Sequence, residues 1–135
     1  MVATLYDEAR ARRTISPATR ANGTVNGAAV DLGATGSESA LVVVITGTVT
    51  DGTHTVAVED SADGTSGWAA VPAGRLQGSP PAIVATDDDT QFEIGVVPIR
   101  QFLRVSVVTT GATTGGIVGA IVVAGQPGAT PVSHA

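Results

Sequence analysis

A chain of 135 residues is long enough for one domain with its own hydrophobic core, and the absence of cysteine excludes disulfides and thiolate metal sites. The net charge of −5 is uneven, because residues 1–23 carry four arginines and two acids whereas residues 24–135 carry three arginines and ten acids. An acidic body repels phosphate backbones, so no nucleic-acid partner is expected. No apolar run approaches the roughly 20 residues that span a bilayer, so no membrane partner is expected either.

The composition favours β-strands. Most apolar residues are Val, Ala, Ile and Leu, Thr and Gly are abundant, and only four residues are aromatic. Side chains branched at Cβ fit the pleated surface of a sheet. Good helix formers are scarce, and lysine is absent. An all-β chain is therefore predicted.

Residues 1–23 are predicted to form an N-terminal arm outside the domain. Two acids precede three arginines between Leu5 and Arg13, an order that favours a brief helical turn, and Pro17 and Gly23 then end any regular element. Arginine pairs well with carboxylates at interfaces, so four arm residues are predicted to contact a partner: Arg10, Arg12, Arg13 and Arg20. The alternative is a solubilising tail. Deletion of residues 1–20 is expected to leave a folded domain.

The body is predicted to be an antiparallel β-sandwich or barrel over residues 24–126, followed by an extended C-terminal tail over residues 127–135. Turn residues separate about seven or eight short strands, and no long helix interrupts them. The predicted strands are 24–32, 40–50, 53–59, 68–71, 82–86, 91–97, 102–109 and 117–124. The continuous apolar run in 40–50 predicts burial on both faces, and Asp51-Gly52 predicts a hairpin to the next strand.

Several polar groups are candidates for binding sites, each with a structural alternative. The three acids Asp87–Asp89 resemble oxygen ligands for a hard cation, but a solvated turn is the favoured interpretation. Trp68 is a candidate surface-binding residue, for which a core or sheet-edge position is the favoured alternative. His54 is predicted to be an exposed strand residue, and His134 to be without a fixed position near the C-terminus.

Catalysis is not predicted. No serine lies in a Gly-x-Ser-x-Gly frame, and the glycine-rich stretch 111–116 lacks the lysine of a phosphate-binding loop. The two histidines have no metal-ligand spacing, and no pair of carboxylates is clearly brought together. We therefore expect no catalytic residue, no metal and no cofactor.

Four segments carry a resemblance to a known group of proteins: 58–72, with its VEDSADGT start, Trp68 and a final Val-Pro; TDDDT at 86–90; Arg100 with FLRV at 102–105; and GATTGG at 111–116. Together they resemble small structural proteins from the head gene clusters of tailed phages. The similarity is to capsid decoration, or cement, proteins, especially of phages that infect actinobacteria. These motifs are strand and turn signatures, and they lie between residues 24 and 126.

The resemblance implies a virion protein that is assembled in the host cytoplasm and sits on the outer surface of the capsid. It would bind the major capsid protein and stabilise the shell, as a homo-oligomer for which a trimer is favoured. The strand 117–124 is a candidate for pairing across subunits if it lies at a sheet edge. The alternative is a tail component or a receptor- or carbohydrate-binding module, which Trp68 and Asp87–Asp89 motivate.

Overall fold

The computed structural model describes residues 4–33, 38–125 and 134, and these residues form an open sandwich of two antiparallel sheets. The elements in chain order are α1 Leu5–Glu8, β1 Arg10–Arg20, β2 Gly23–Asn26, β3 Val30–Asp31, β4 Ser39–Val49, β5 Thr53–Ser61, β6 Ala69–Ala70, β7 Leu76–Gln77, β8 Ala82–Ile83, β9 Gln91–Val96, β10 Phe102–Thr110 and β11 Gly116–Gly125. The predicted all-β sandwich is confirmed, and the structure is not a closed barrel. Among the described residues, no helix is both long and apolar enough to cross a membrane.

The first sheet has the strand order β1-β11-β4-β9-β7, and the second has the order β2-β10-β5-β6. Strand β3 also pairs with β10, and β8 also pairs with β5. The strand predicted over residues 24–32 is divided into β2 and β3, and β1 and β7 were not predicted as strands. The predicted C-terminal tail lies outside the described residues except for His134.

The core between the sheets is aliphatic. Among the residues that the structure describes, twenty buried ones form it, all of them Val, Ile, Leu or Ala. The prediction that residues 40–50 are buried on both faces is wrong, because burial alternates along β4 and Ile45 is 51% exposed. Only the inner face of the first sheet packs against the second sheet, so the apolar outer face of β4 stays accessible.

The hairpin predicted at Asp51-Gly52 is also wrong, because β4 belongs to the first sheet and β5 to the second. The connection crosses the end of the sandwich instead. The carboxylate of Asp51 accepts hydrogen bonds from three successive N–H groups, of which that of Gly115 is the shortest at 2.7 Å. These backbone bonds, led by those of Gly115 and Thr114, hold the pKa of Asp51 below its ordinary value. Asp51 therefore anchors the loop between β10 and β11.

The N-terminal segment corrects the arm prediction. The brief helix is present as α1, but residues 10–20 form β1 and pair along β11, with Ile15 only 1% exposed. Pro17 lies where the register shifts between Ile15 and Ala18, a position at which its missing N–H is tolerated. The sheet therefore begins at Arg10, before the boundary predicted at residues 23 and 24. Strand β11 lies between β1 and β4, so it is not an edge available for pairing across subunits.

Thr14 of β1 joins the two sheets. Its hydroxyl donates to the carbonyl of Ala28 at 2.8 Å and accepts from the N–H of Val105 at 3.2 Å. An added Cβ at Gly27 would lie 2.6 Å from the carbonyl oxygen of Thr14 and 2.7 Å from that of Val105. Glycine is thus required where β1 approaches the second sheet.

Candidate binding surface

Charged side chains meet at the end of β5. Asp60 is almost fully buried, and its carboxylate lies 3.0 Å from Arg75 and 3.8 Å from Arg100. A buried carboxylate is costly unless cations or donors pair with it, so the two loops that carry these arginines are held against β5. The sequence did not reveal this cluster, because its members are distant along the chain and only the fold brings them together.

Trp68 lies on the outer side of the second sheet. The guanidinium carbon of Arg104 is 4.2 Å from the centre of the indole ring, and the same guanidinium donates to Glu59 at 2.9 Å. Trp68 is half-buried, and Arg104 covers part of its ring in a cation–π contact. It is therefore not a core residue, and Arg104 already occupies one face of its ring.

The loop before Trp68 is organised by Asp63. Its carboxylate accepts from the N–H groups of Ser66 and Thr65, each at 2.9 Å, and from the Ser66 hydroxyl. These bonds, with that of the Ser66 N–H first, hold the pKa of Asp63 well below its ordinary value. Gly64 adopts a φ of +79°, and Arg100 donates to the carbonyl of Gly67 at 3.2 Å. The loop is a hydrogen-bonded turn that presents Trp68 in one position.

The acids at 87–89 bond to backbone groups, Asp87 within the turn and Asp88 on β4. Asp87 accepts from the N–H of Val84, and Asp88 accepts from the N–H of Val49. Asp89 has a φ of +49°, as an aspartate in a turn tolerates. No group of three or more metal-binding side chains occurs within residues 4–33, 38–125 and 134. The geometry agrees with the favoured turn interpretation.

Both histidines differ from their predictions. His54 is fully buried, not exposed: its Nε2 lies 3.1 Å from the carbonyl of Asp51 and its Nδ1 2.8 Å from the hydroxyl of Thr109. A carbonyl only accepts, so Nε2 donates to Asp51. This hydroxyl–imidazole pair is closed to substrate, since Thr109 is also buried. His134 stacks on Tyr6 with ring centres 4.0 Å apart and contacts the Tyr6 carbonyl at 2.8 Å.

The four arginines predicted as partner contacts lie on β1, but they do not form one patch. Arg10 and Arg12 stand opposite the buried Ala124 and Val122, at inner-face positions of the sheet edge, whereas Arg13 is exposed on the outer face. Arg20 donates to the carbonyl groups of Ser16 and Val118, and burial lowers its pKa. The Nε of Arg10 is buried and has no hydrogen-bond partner among the residues that the structure describes.

An apolar cleft of about 490 Å³ lies between α1 and the outer face of the first sheet. Its lining residues are Leu5, Tyr6, Ala9, Ala11, Val123 and His134. No family model matches this chain, and no curated protein matches it significantly in sequence.

Proposed function

We propose that the protein is a non-enzymatic structural protein of a tailed-phage particle that binds the outer capsid surface and stabilises the shell. The proposal rests on the observation that residues in the phage-like motifs hold loops and surface side chains in place. Asp63 and Asp88 accept backbone hydrogen bonds in loops, and Arg104 holds Trp68. Residues used in this way make a rigid surface, which suits docking without large rearrangement. Many weakly bound copies on a lattice gain avidity.

The proposed contact with the major capsid protein is the free edge of β1. Arg10 and Arg12 lie at this edge, where their guanidinium groups can pair with acidic side chains of the capsid protein. Deletion of residues 1–20 is no longer a suitable test, because it would remove β1 from the sheet. Substitution of the two arginines leaves the strand in place.

Co-expression with the major capsid protein from the neighbouring reading frames tests the proposal. The chain should sediment with assembled shells, and the double variant Arg10→Ala/Arg12→Ala should sediment at least about tenfold less. The control Arg100→Ala removes an exposed arginine from the loop between β9 and β10, away from β1, and should sediment like the wild type. Absence of the wild-type chain from the shells would overturn the function. Full binding by the double variant would overturn the contact.

A second candidate is a tail module that binds a receptor or a carbohydrate. Trp68 favours it, because the ordered Asp63 loop presents this half-buried indole with a neighbouring guanidinium. Binding on a glycan array should be lost in Trp68→Ala and retained in Tyr6→Ala, which removes an exposed aromatic ring elsewhere. No glycan binding by the wild type, with or without calcium, would eliminate this candidate.

A further inference from the structure

The outer face of the first sheet carries an apolar surface, here called the outer stripe, on the neighbouring strands β4 and β11. Its residues are Leu41, Val43, Ile45, Ile121 and Val123. Ile45 is 51% exposed, and the other four are half-buried. Within the residues that the structure describes, no second layer of strands lies over the stripe, and α1 and His134 border it at Val123. A contiguous apolar surface on a sheet face typically marks an interaction site.

The registers of three strand pairs place opposite charges at the two sides of this stripe. One row crosses the sheet from β1 to β9 and contains Arg13, Ile121, Val43 and Glu93, in that order. Directly opposed residues in antiparallel strands project from the same face, so all four share the outer face. Arg13 and Glu93 are both exposed, and neither forms an ion pair within the part of the chain that the structure describes.

This row is complementary to itself. A second copy, turned by 180° about an axis parallel to the strands and midway between β11 and β4, presents the same face to the first copy. The rotation places β1 over β9 and β11 over β4 while it keeps each residue at the same height along the strands. Arg13 of each copy then faces Glu93 of the other, and Ile121 faces Val43. Two sheets packed face to face are about 10 Å apart, so side chains of opposed rows can touch.

We propose that the outer stripe is a homodimer interface, with two-fold symmetry and two reciprocal Arg13–Glu93 ion pairs. Self-complementarity selects a second copy as the occupant, because a two-fold interface brings the same patch of both chains together. The cleft beside α1 extends the apolar surface, since Leu5 and Tyr6 are 78% and 68% exposed and line it together with Val123 of the stripe. This inference goes beyond the proposed capsid role and does not depend on it.

Charge reversal of the full-length chain tests the pairing. The wild type should have twice the chain mass of 13.3 kDa by light scattering. Arg13→Glu and Glu93→Arg each place like charges together twice, so each should raise the dimer Kd by at least about tenfold, measured by sedimentation equilibrium. The combined variant Arg13→Glu/Glu93→Arg should return the Kd to within about threefold of the wild type. Glu38→Arg, the same charge change at another exposed site, should leave it unchanged.

The circular dichroism spectrum serves as the folding control and should not change, because Arg13 and Glu93 are exposed. A monomeric wild type would overturn the proposal. A trimeric mass would overturn the two-fold arrangement in favour of the oligomer implied by the resemblance. A combined variant as weak as the single variants would refute the ion pairs.

Discussion

Replacement of Ile15 by alanine should destabilise the protein strongly if residues 10–20 belong to the sheet. Ile15 is 1% exposed and stands opposite the buried Ala120. The substitution removes three carbon atoms from the core, which costs about 2.4 kcal/mol at roughly 0.8 kcal/mol per buried methylene. The cavity adds to this loss, so the expected decrease in the free energy of unfolding is about 3–4 kcal/mol. An arm without structure would show no such decrease.

Urea unfolding followed by circular dichroism measures this difference. The control is Ile99→Ala, the same chemical change at a side chain that is 74% exposed, and it should cost less than about 0.5 kcal/mol. The midpoint should fall for the Ile15 variant while the denaturant dependence stays constant. If both variants unfold with the wild-type free energy, β1 does not contribute to the core and the reasoning is refuted.

Three further substitutions test the contacts that close the ends and the edge of the sandwich. Asp60→Asn should cost about 2–3 kcal/mol, because it leaves two arginines without their shared carboxylate, whereas the exposed Asp89→Asn should cost almost nothing by the same urea assay. Gly27→Ala should cost at least about 2 kcal/mol, because its Cβ meets two backbone carbonyls, whereas Gly74→Ala has open space and should be tolerated in thermal unfolding. The pKa of Asp51 is lowered in the folded state. Its ionised carboxylate therefore stabilises the folded protein at pH values above the ordinary pKa of 3.8, and this stabilisation is lost as the pH falls. Asp51→Asn should therefore lower Tm at pH 7 and flatten its decrease between about pH 5 and pH 3.

Each of these three predictions has an outcome that would contradict it. Equal stability of Asp60→Asn and Asp89→Asn would mean that the buried ion pairs contribute nothing. A tolerated Gly27→Ala would mean that β1 does not approach the second sheet closely. An unchanged pH profile in Asp51→Asn would mean that its carboxylate does not hold the following loop.

The sequence alone was sufficient for the strand content and for most of the long strands. Alternating Val, Ile and Thr side chains predict β10 and β11 almost to their ends, because a period of two is a local property of the chain. The Asp87–Asp89 turn was predicted for a similar reason, since aspartates are common in turns. The fold class followed from these elements together.

Only the tertiary structure decided which strands pair and which charges meet. Pro17 suggested a break in residues 1–23, yet this segment pairs along β11 despite the proline, and a register shift absorbs the missing N–H. Asp51-Gly52 has the local signature of a hairpin, but the two strands it joins lie in different sheets. The Asp60 cluster and the row from Arg13 to Glu93 depend on strand order and register. Pairing between distant strands is a non-local choice, and a local pattern of residues does not contain it.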